Sequence, residues 1–312
     1  MDLFGPYELR DLLGSGGMGE VHRAFDTRRE RTVALKRLKP GLEADVDYQN
    51  RFRRESGLAA RLSSPHVIPI HDFGEISDRL YIDMRLVDGP DLGKLIAATG
   101  PLSPARAVEI TVQVADALDC AHSAGMIHRD IKPSNVLITN HRGRDFAYLA
   151  DFGTVRALAG DTSSLTATGT AIGTLAYMAP ELFLGGRISH QIDIYALGCL
   201  LFEALTGHPP FRGEGPALMY QHLNSEPPLP SHTVQSLGAH LDPIITRAMA
   251  KDPRARFVTA GELADAAHRA LHIATQLGTA LADPTLPVTT STLVTCHWFS
   301  AAAQQQASTD TR

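Results

Sequence analysis

At 312 residues, 44% hydrophobic and 20% charged, the chain has the composition of an ordinary globular protein, long enough to bury a core in two lobes. Its net charge of −5 and the absence of any sustained Lys/Arg run give no nucleic-acid footprint. Cys120, Cys199 and Cys296 show neither metal-ligand spacing nor a disulfide framework, which fits reduced thiols in a cytoplasmic protein; no secretory signal and no run of about 18 apolar residues is read.

In chain order, Tyr7–Leu13, Glu20–Asp26 and Arg31–Leu38 read as short strands separated by Gly-rich or charged turns. Asp47 to about Leu62 carries Phe52, Leu58, Ala59 and Leu62 at helical spacing, and strands follow around Val67–Phe73 and Leu80–Leu86. From Ser103 the pattern turns helical. Ser103 is a cap with Pro104 in the first helical position, Gly125 is the stop, and Ala107, Ile110, Val114, Ala117, Leu118 and Ala121 form the stripe between them. Ile192–Thr206 is apolar on nearly every side, as a helix at the centre of a lobe would be. Thr259-Ala260-Gly261-Glu262 is a capping box for a last helix to about Leu277, and residues 279–312 read as a disordered tail or linker.

Two groups of residues carry chemistry. Gly14-Ser15-Gly16-Gly17-Met18-Gly19-Glu20-Val21 joins two strands with no helix after it, so its amides suit a phosphate-covering loop better than a dinucleotide site. Val33-Ala34-Leu35-Lys36 follows on the third strand. A lysine there would by itself point into water, but Glu55, on the next helix, offers it a partner. A Lys36–Glu55 pair would hold the ammonium at the first two phosphates of a nucleotide. Val21 and Ala34 would roof an adenine, Leu137 would floor it, and the backbone of Met84 to Val87 would read its edge.

The second group is His128-Arg129-Asp130-Ile131-Lys132-Pro133-Ser134-Asn135 with Asp151-Phe152-Gly153. These motifs match the protein-kinase signature set. Over roughly Tyr7 to Leu277 the chain resembles a Hanks-type (eukaryotic-like) bacterial Ser/Thr protein kinase of the actinobacterial sensor-kinase branch. The resemblance implies an α+β, two-lobed fold. A small N-lobe of antiparallel sheet plus one helix and a hinge would span 1–87, and a large, mainly helical C-lobe 88–278.

It also implies roles. Asp130 would orient the substrate hydroxyl or take its proton, Lys132 would stabilise the moving phosphoryl group, and Asn135 and Asp151 would hold Mg2+, or Mn2+. ATP would lie against Leu13, Gly14, Ser15, Gly16, Gly17, Met18, Gly19, Val21, Ala34, Lys36, Glu55, Met84, Val87 and Leu137. Thr174 would bond Asp130 and Lys132. Glu181 would pair with Arg256, and Asp193 would anchor the catalytic loop.

Asp-x-Lys-Pro marks Ser/Thr specificity in the family, and the Ala179-Pro180-Glu181 platform favours protein substrates. Arg129 can pair with a loop phosphate, with Thr166 and Thr168 as the expected autophosphorylation sites, aided by a homodimer. The competing class is a pseudokinase scaffold that binds nucleotide or partners without transfer. Relatives of this branch carry a membrane helix and sensor after the kinase domain. A naturally soluble chain and a shortened family member both fit this one.

Overall fold

The computed structural model describes residues 2–16, 19–40, 46–152 and 175–282, with side chains to residue 273. By internal contacts the chain forms two units, 1–274 and 275–312. The first unit holds two lobes.

The N-lobe is a six-stranded antiparallel sheet of order β1-β2-β3-β4-β6-β5. Its strands are β1 (Asp2–Phe4), β2 (Tyr7–Gly16), β3 (Gly19–Asp26), β4 (Arg31–Leu38), β5 (Ile70–Ile76) and β6 (Arg79–Arg85). One helix, α1 (Val46–Ala59), buries Tyr48, Phe52, Ser56 and Ala59, a stripe of i, i+4, i+3 spacing. Phe52 is sealed beneath β5 by edge-to-face contact with Phe73.

Several N-lobe boundaries differ from the sequence expectation, and β2, expected to stop at Leu13, runs on to Gly16. β1 was not expected, because three residues are too short for an alternation to show; Phe4 pairs with Tyr7 and packs on Tyr81. The strand expected from Val67 begins at Ile70, since Pro69 cannot donate to a ladder. Val67 makes only an isolated bridge to Leu149. The helix expected to reach Leu62 ends at Ala59 and tightens into a turn, Leu62 N–H donating to the Ala59 carbonyl; Leu62 still packs on the C-lobe core.

The C-lobe is helical: α2 (Leu92–Thr99), α3 (Pro104–Ser123), α4 (Pro180–Phe183), α5 (Gln191–Thr206), α6 (Gly215–Asn224), α7 (Pro230–Thr233), α8 (Asp242–Ala248) and α9 (Ala260–Ala282). A two-stranded hairpin, β7 (Val136–His141) and β8 (Arg144–Leu149), lies between α3 and α4 in sequence. Ser103 caps α3 through the Arg106 N–H, and the expected apolar stripe of α3 is fully buried.

Every residue of α5 except Gln191 and Glu203 is buried, so this helix is the C-lobe's spine. α8 can lie against it because position 198 is glycine: a Cβ there would stand 2.7 Å from the Ala248 methyl. Among the described residues, no helix is long and apolar enough to cross a membrane.

Candidate active site

The loop between α3 and β7 is held in one shape by the buried Asp193 of α5. Asp193 accepts from the backbone N–H of His128 and of Arg129, both at 2.8 Å, and from His122 Nε2, also at 2.8 Å. These bonds secure Arg129 in a left-handed conformation, φ 67°, that costs a non-glycine residue about 1–3 kcal/mol. His128 is fully buried. Its Nδ1 accepts from the Asp130 N–H, so its Nε2–H donates to the Ala150 carbonyl at 3.0 Å. Burial pushes its pKa down, which keeps the ring neutral in this role.

On that frame Lys132 Nζ donates to Asp130 Oδ2 at 2.8 Å, and Asn135 Nδ2 donates to the same oxygen at 3.1 Å and to the Asp130 carbonyl at 2.7 Å. The Asn135 amide is thereby oriented by its nitrogen, which turns its oxygen, a hard donor, the other way. Asp151 follows β8 with φ 59°, a second left-handed non-glycine residue in the same site. Phe152 next to it is buried against the His128 ring, centroids 4.7 Å apart.

Lys36, on β4, does not meet Glu55. Its ammonium donates to Asp151 Oδ1 at 2.7 Å, while Glu55 faces Arg129 at 3.8 Å. The expected Lys36–Glu55 pair is therefore replaced by two others. The physical reason is the placement of α1, which carries Glu55 to the guanidinium of the catalytic loop and leaves Asp151 as the anion nearest Lys36. Burial raises the Glu55 carboxyl above its usual range, and Arg129, Arg54 and Arg51 oppose that rise. A cavity of about 360 Å³ remains between Glu55, Leu58, Arg129 and Phe152.

The expected nucleotide walls converge on one cluster: Ala34 and Met84 are buried in it, and Val21, Val87 and Leu137 pack against it. Leu13 is exposed at the mouth of the Gly-rich loop. Gly14 and Ser15 pair with Val21 and Glu20, and Gly16 with Gly19. Gly19 has φ 154°, and a Cβ there would collide with the Arg37 carbonyl oxygen at 2.0 Å, so only glycine closes this hairpin. Gly17, Met18, Thr166, Thr168 and Thr174 lie outside the described residues.

Residues 7–268 match the family model of the protein kinase domain. The chain belongs to the protein kinase family. It is 50% identical over 273 residues to the serine/threonine-protein kinase PknE of Mycobacterium bovis, and 50% identical over 270 residues to PknD of Mycobacterium tuberculosis. Those matches take in 88% and 86% of this chain but 47% and 40% of the relatives, so the chain spans less than half the length of the curated relatives it matches. The crystal structure of the M. tuberculosis PknI kinase domain is similar at a TM-score of 0.70 and 33% identity, covering 87% of this chain and 98% of that one. Rad53 in complex with AMP-PNP is similar at a TM-score of 0.69 and 26% identity, covering 83% of this chain and 64% of that one. The kinase domain is thus of the bacterial Hanks-type Ser/Thr branch.

Two supports complete the kinase site. Arg256, its side chain wholly buried, grips Glu181 with both terminal nitrogens, at 2.7 and 2.8 Å. It also donates to the Ala250 and Gln191 carbonyls and lies over the Tyr195 ring. The histidines were not given roles from sequence. His128 stood inside the catalytic motif, and His122 sits in the last turn of α3; what marks them as supports is burial, which periodicity does not report.

Proposed function

We propose that this kinase domain transfers the γ-phosphoryl group of ATP to Ser or Thr hydroxyls of protein substrates. The observation that carries this reading is the Asp130 carboxylate gripped by both Lys132 and Asn135 on a loop locked by Asp193. So held, Asp130 presents an anionic oxygen to an incoming hydroxyl, to orient it and take its proton. Lys132 brings positive charge beside the same carboxylate, where charge moves during transfer.

The oxygens of Asn135 and Asp151 suit Mg2+, or Mn2+, with phosphate oxygens supplying other ligands. Bound there, the metal supplies charge neutralisation at the phosphates. The AMP-PNP complex of the similar Rad53 structure supports nucleotide binding by this domain, and the apolar cluster around Ala34 and Met84 offers walls that would suit a base. A metal ion at Asp151 would compete with the Lys36 ammonium for the same carboxylate, so nucleotide entry would weaken that pair. Lys36 then turns to the phosphates, and Glu55, released from Arg129, becomes its partner.

The reading extends to cytoplasmic action on protein substrates and to autophosphorylation at Thr166 and Thr168, assisted by a homodimer, with Thr174 completing the bonds around Asp130 and Lys132. Arg129 supports the phosphosites, since a phosphate would compete with Glu55 for its guanidinium. A Thr166→Ala/Thr168→Ala double variant should lower transfer about tenfold or more, the worth of one charge-assisted hydrogen bond. Unchanged label and unchanged activity in that variant would remove the phosphosites from the account.

The direct test is incubation of the purified chain with labelled ATP, Mg2+ and a generic basic protein, beside Lys36→Met. Label is expected on the protein with the unaltered chain and close to background with the variant. An unaltered chain that binds nucleotide yet labels no protein would make it a scaffold.

A further inference from the structure

α9 turns one face to the core and the other to solvent. Leu263, Ala264 and Ala267 are buried, and Ala266, Ala270 and Leu271 pack on the C-lobe core beside them. Asp265, His268, Arg269 and His272 are exposed on the opposite side. His268 and His272 stand four residues apart, so they project from successive turns of that face. Their rings already meet, with centroids 4.4 Å apart at an interplanar angle of 75°.

Uncommitted nitrogens separate this pair from the other close histidines. His122 and His190 also have ring centroids 5.4 Å apart, but His122 Nε2 bonds Asp193 and His190 Nε2 donates to the Val258 carbonyl. Among the described residues, neither His268 nor His272 has a hydrogen-bond or ion-pair partner. Two neutral imidazoles offer two lone pairs. Nitrogens that share one ion at about 2.0–2.1 Å stand about 3 Å apart, which rings in contact reach by small side-chain rotations. The same i, i+4 spacing sets two zinc-binding histidines on one helix face in the H-E-x-x-H motif. Asp265 and Arg269 bring opposite charges to the face, so the imidazoles, not net charge, decide what binds.

We propose that His268 and His272 form a clasp for a divalent late first-row transition cation, such as Zn2+, Ni2+ or Cu2+, on the outer face of α9. Among the described residues no group of three or more His, Cys, Asp or Glu side chains is placed to hold a metal ion. The clasp therefore supplies two ligands and water fills the other positions. Imidazole ligands select these metals over Mg2+, which prefers oxygen. The clasp is thus distinct from the oxygen donors of Asn135 and Asp151 and does not rest on the kinase reading. By tying successive turns together, the ion holds α9 helical where the first unit ends, at residue 274.

The test titrates the purified chain with the chlorides of Zn2+, Ni2+, Cu2+ and Mg2+, beside His268→Ala, His272→Ala and the double variant. Binding is read by calorimetry, thermal melting and amide hydrogen exchange. Both side chains are exposed, so the metal-free melting temperatures of the four proteins should agree within about 2 °C. The parent should bind one equivalent of Cu2+ more tightly than Ni2+ or Zn2+, with no competition from Mg2+. Each single variant should lose affinity by at least about 10–100-fold, since removing even an outer-shell partner of a metal ligand costs that much. Zn2+ at about tenfold excess over its Kd should raise the parent's melting temperature by about 2–4 °C and slow exchange across 268–274. The double variant should show neither effect.

Transition-metal affinity in the double variant equal to the parent's overturns the proposal, as does full displacement by Mg2+. A loss confined to one single variant refutes a clasp of two imidazoles. Metal bound by the parent that leaves exchange across 268–274 unaltered does the same.

Discussion

Replacing Asp130 by Asn is expected to lower phosphate transfer to protein about 10²–10⁴-fold, the usual worth of a positioned general base. The substitution keeps the shape and one oxygen, so Lys132 and Asn135 retain an acceptor. What is lost is the negative charge that draws the hydroxyl proton. Stability should move by only about 1 kcal/mol, a net hydrogen-bond effect, and the melting temperature by about 2–4 °C. Binding of ATP should persist, because Asp130 is not among the residues of the apolar cluster proposed to hold the nucleotide. Labelling of a protein substrate, thermal melting and nucleotide binding measured on one preparation decide the matter. Transfer within a few-fold of the parent would remove Asp130 from its role.

Arg256→Ala should give the largest loss of stability, about 3–5 kcal/mol, because it leaves the Glu181 carboxylate without its partner in a largely buried place. Carbonyls of Ala250 and Gln191 lose donors at the same time. Set against a total stability of about 5–15 kcal/mol, that is a large fraction. The melting temperature should fall by about 10 °C or more. Arg256→Lys should not restore it, since an ammonium cannot form the two parallel bonds to Glu181 and still reach both carbonyls. Urea titration of the three proteins provides the measurement, and a loss under about 1 kcal/mol in Arg256→Ala would contradict the account.

Much of the fold was legible because its signals are local. The Ser103–Pro104 start of α3, its apolar stripe and the near-continuous apolar run of α5 each follow from side chains within a few residues of one another. The Asp130, Lys132 and Asn135 cluster was legible for the same reason: eight consecutive residues contain it, and a short loop with a 3₁₀ turn at Pro133–Asn135 can bring its ends together. β1 escaped notice because a three-residue strand shows no period, and β5 shifted because a proline outweighed the apolar residues before it. The supports His122 and His128 were invisible as such. Their roles depend on Asp193, 71 and 65 residues away, and on burial.

Lys36 divides the two kinds of information most clearly. By itself the sequence determined which groups the site contains: an ammonium on an apolar strand, acids at 55, 130 and 151, an amide at 135, and a glycine loop before them. It also determined the family, because those groups occur in one order at compatible spacings. Only the tertiary structure decided which charges meet. Lys36 reaches a carboxylate 115 residues away instead of the one on the neighbouring helix, and Glu55 turns to Arg129. The reason is that Coulomb attraction is nearly indifferent to which acid sits at a given distance. The choice falls to the placement of α1, set by the packing of Tyr48, Phe52 and Ala59, and no residue type or spacing in the motif encodes it.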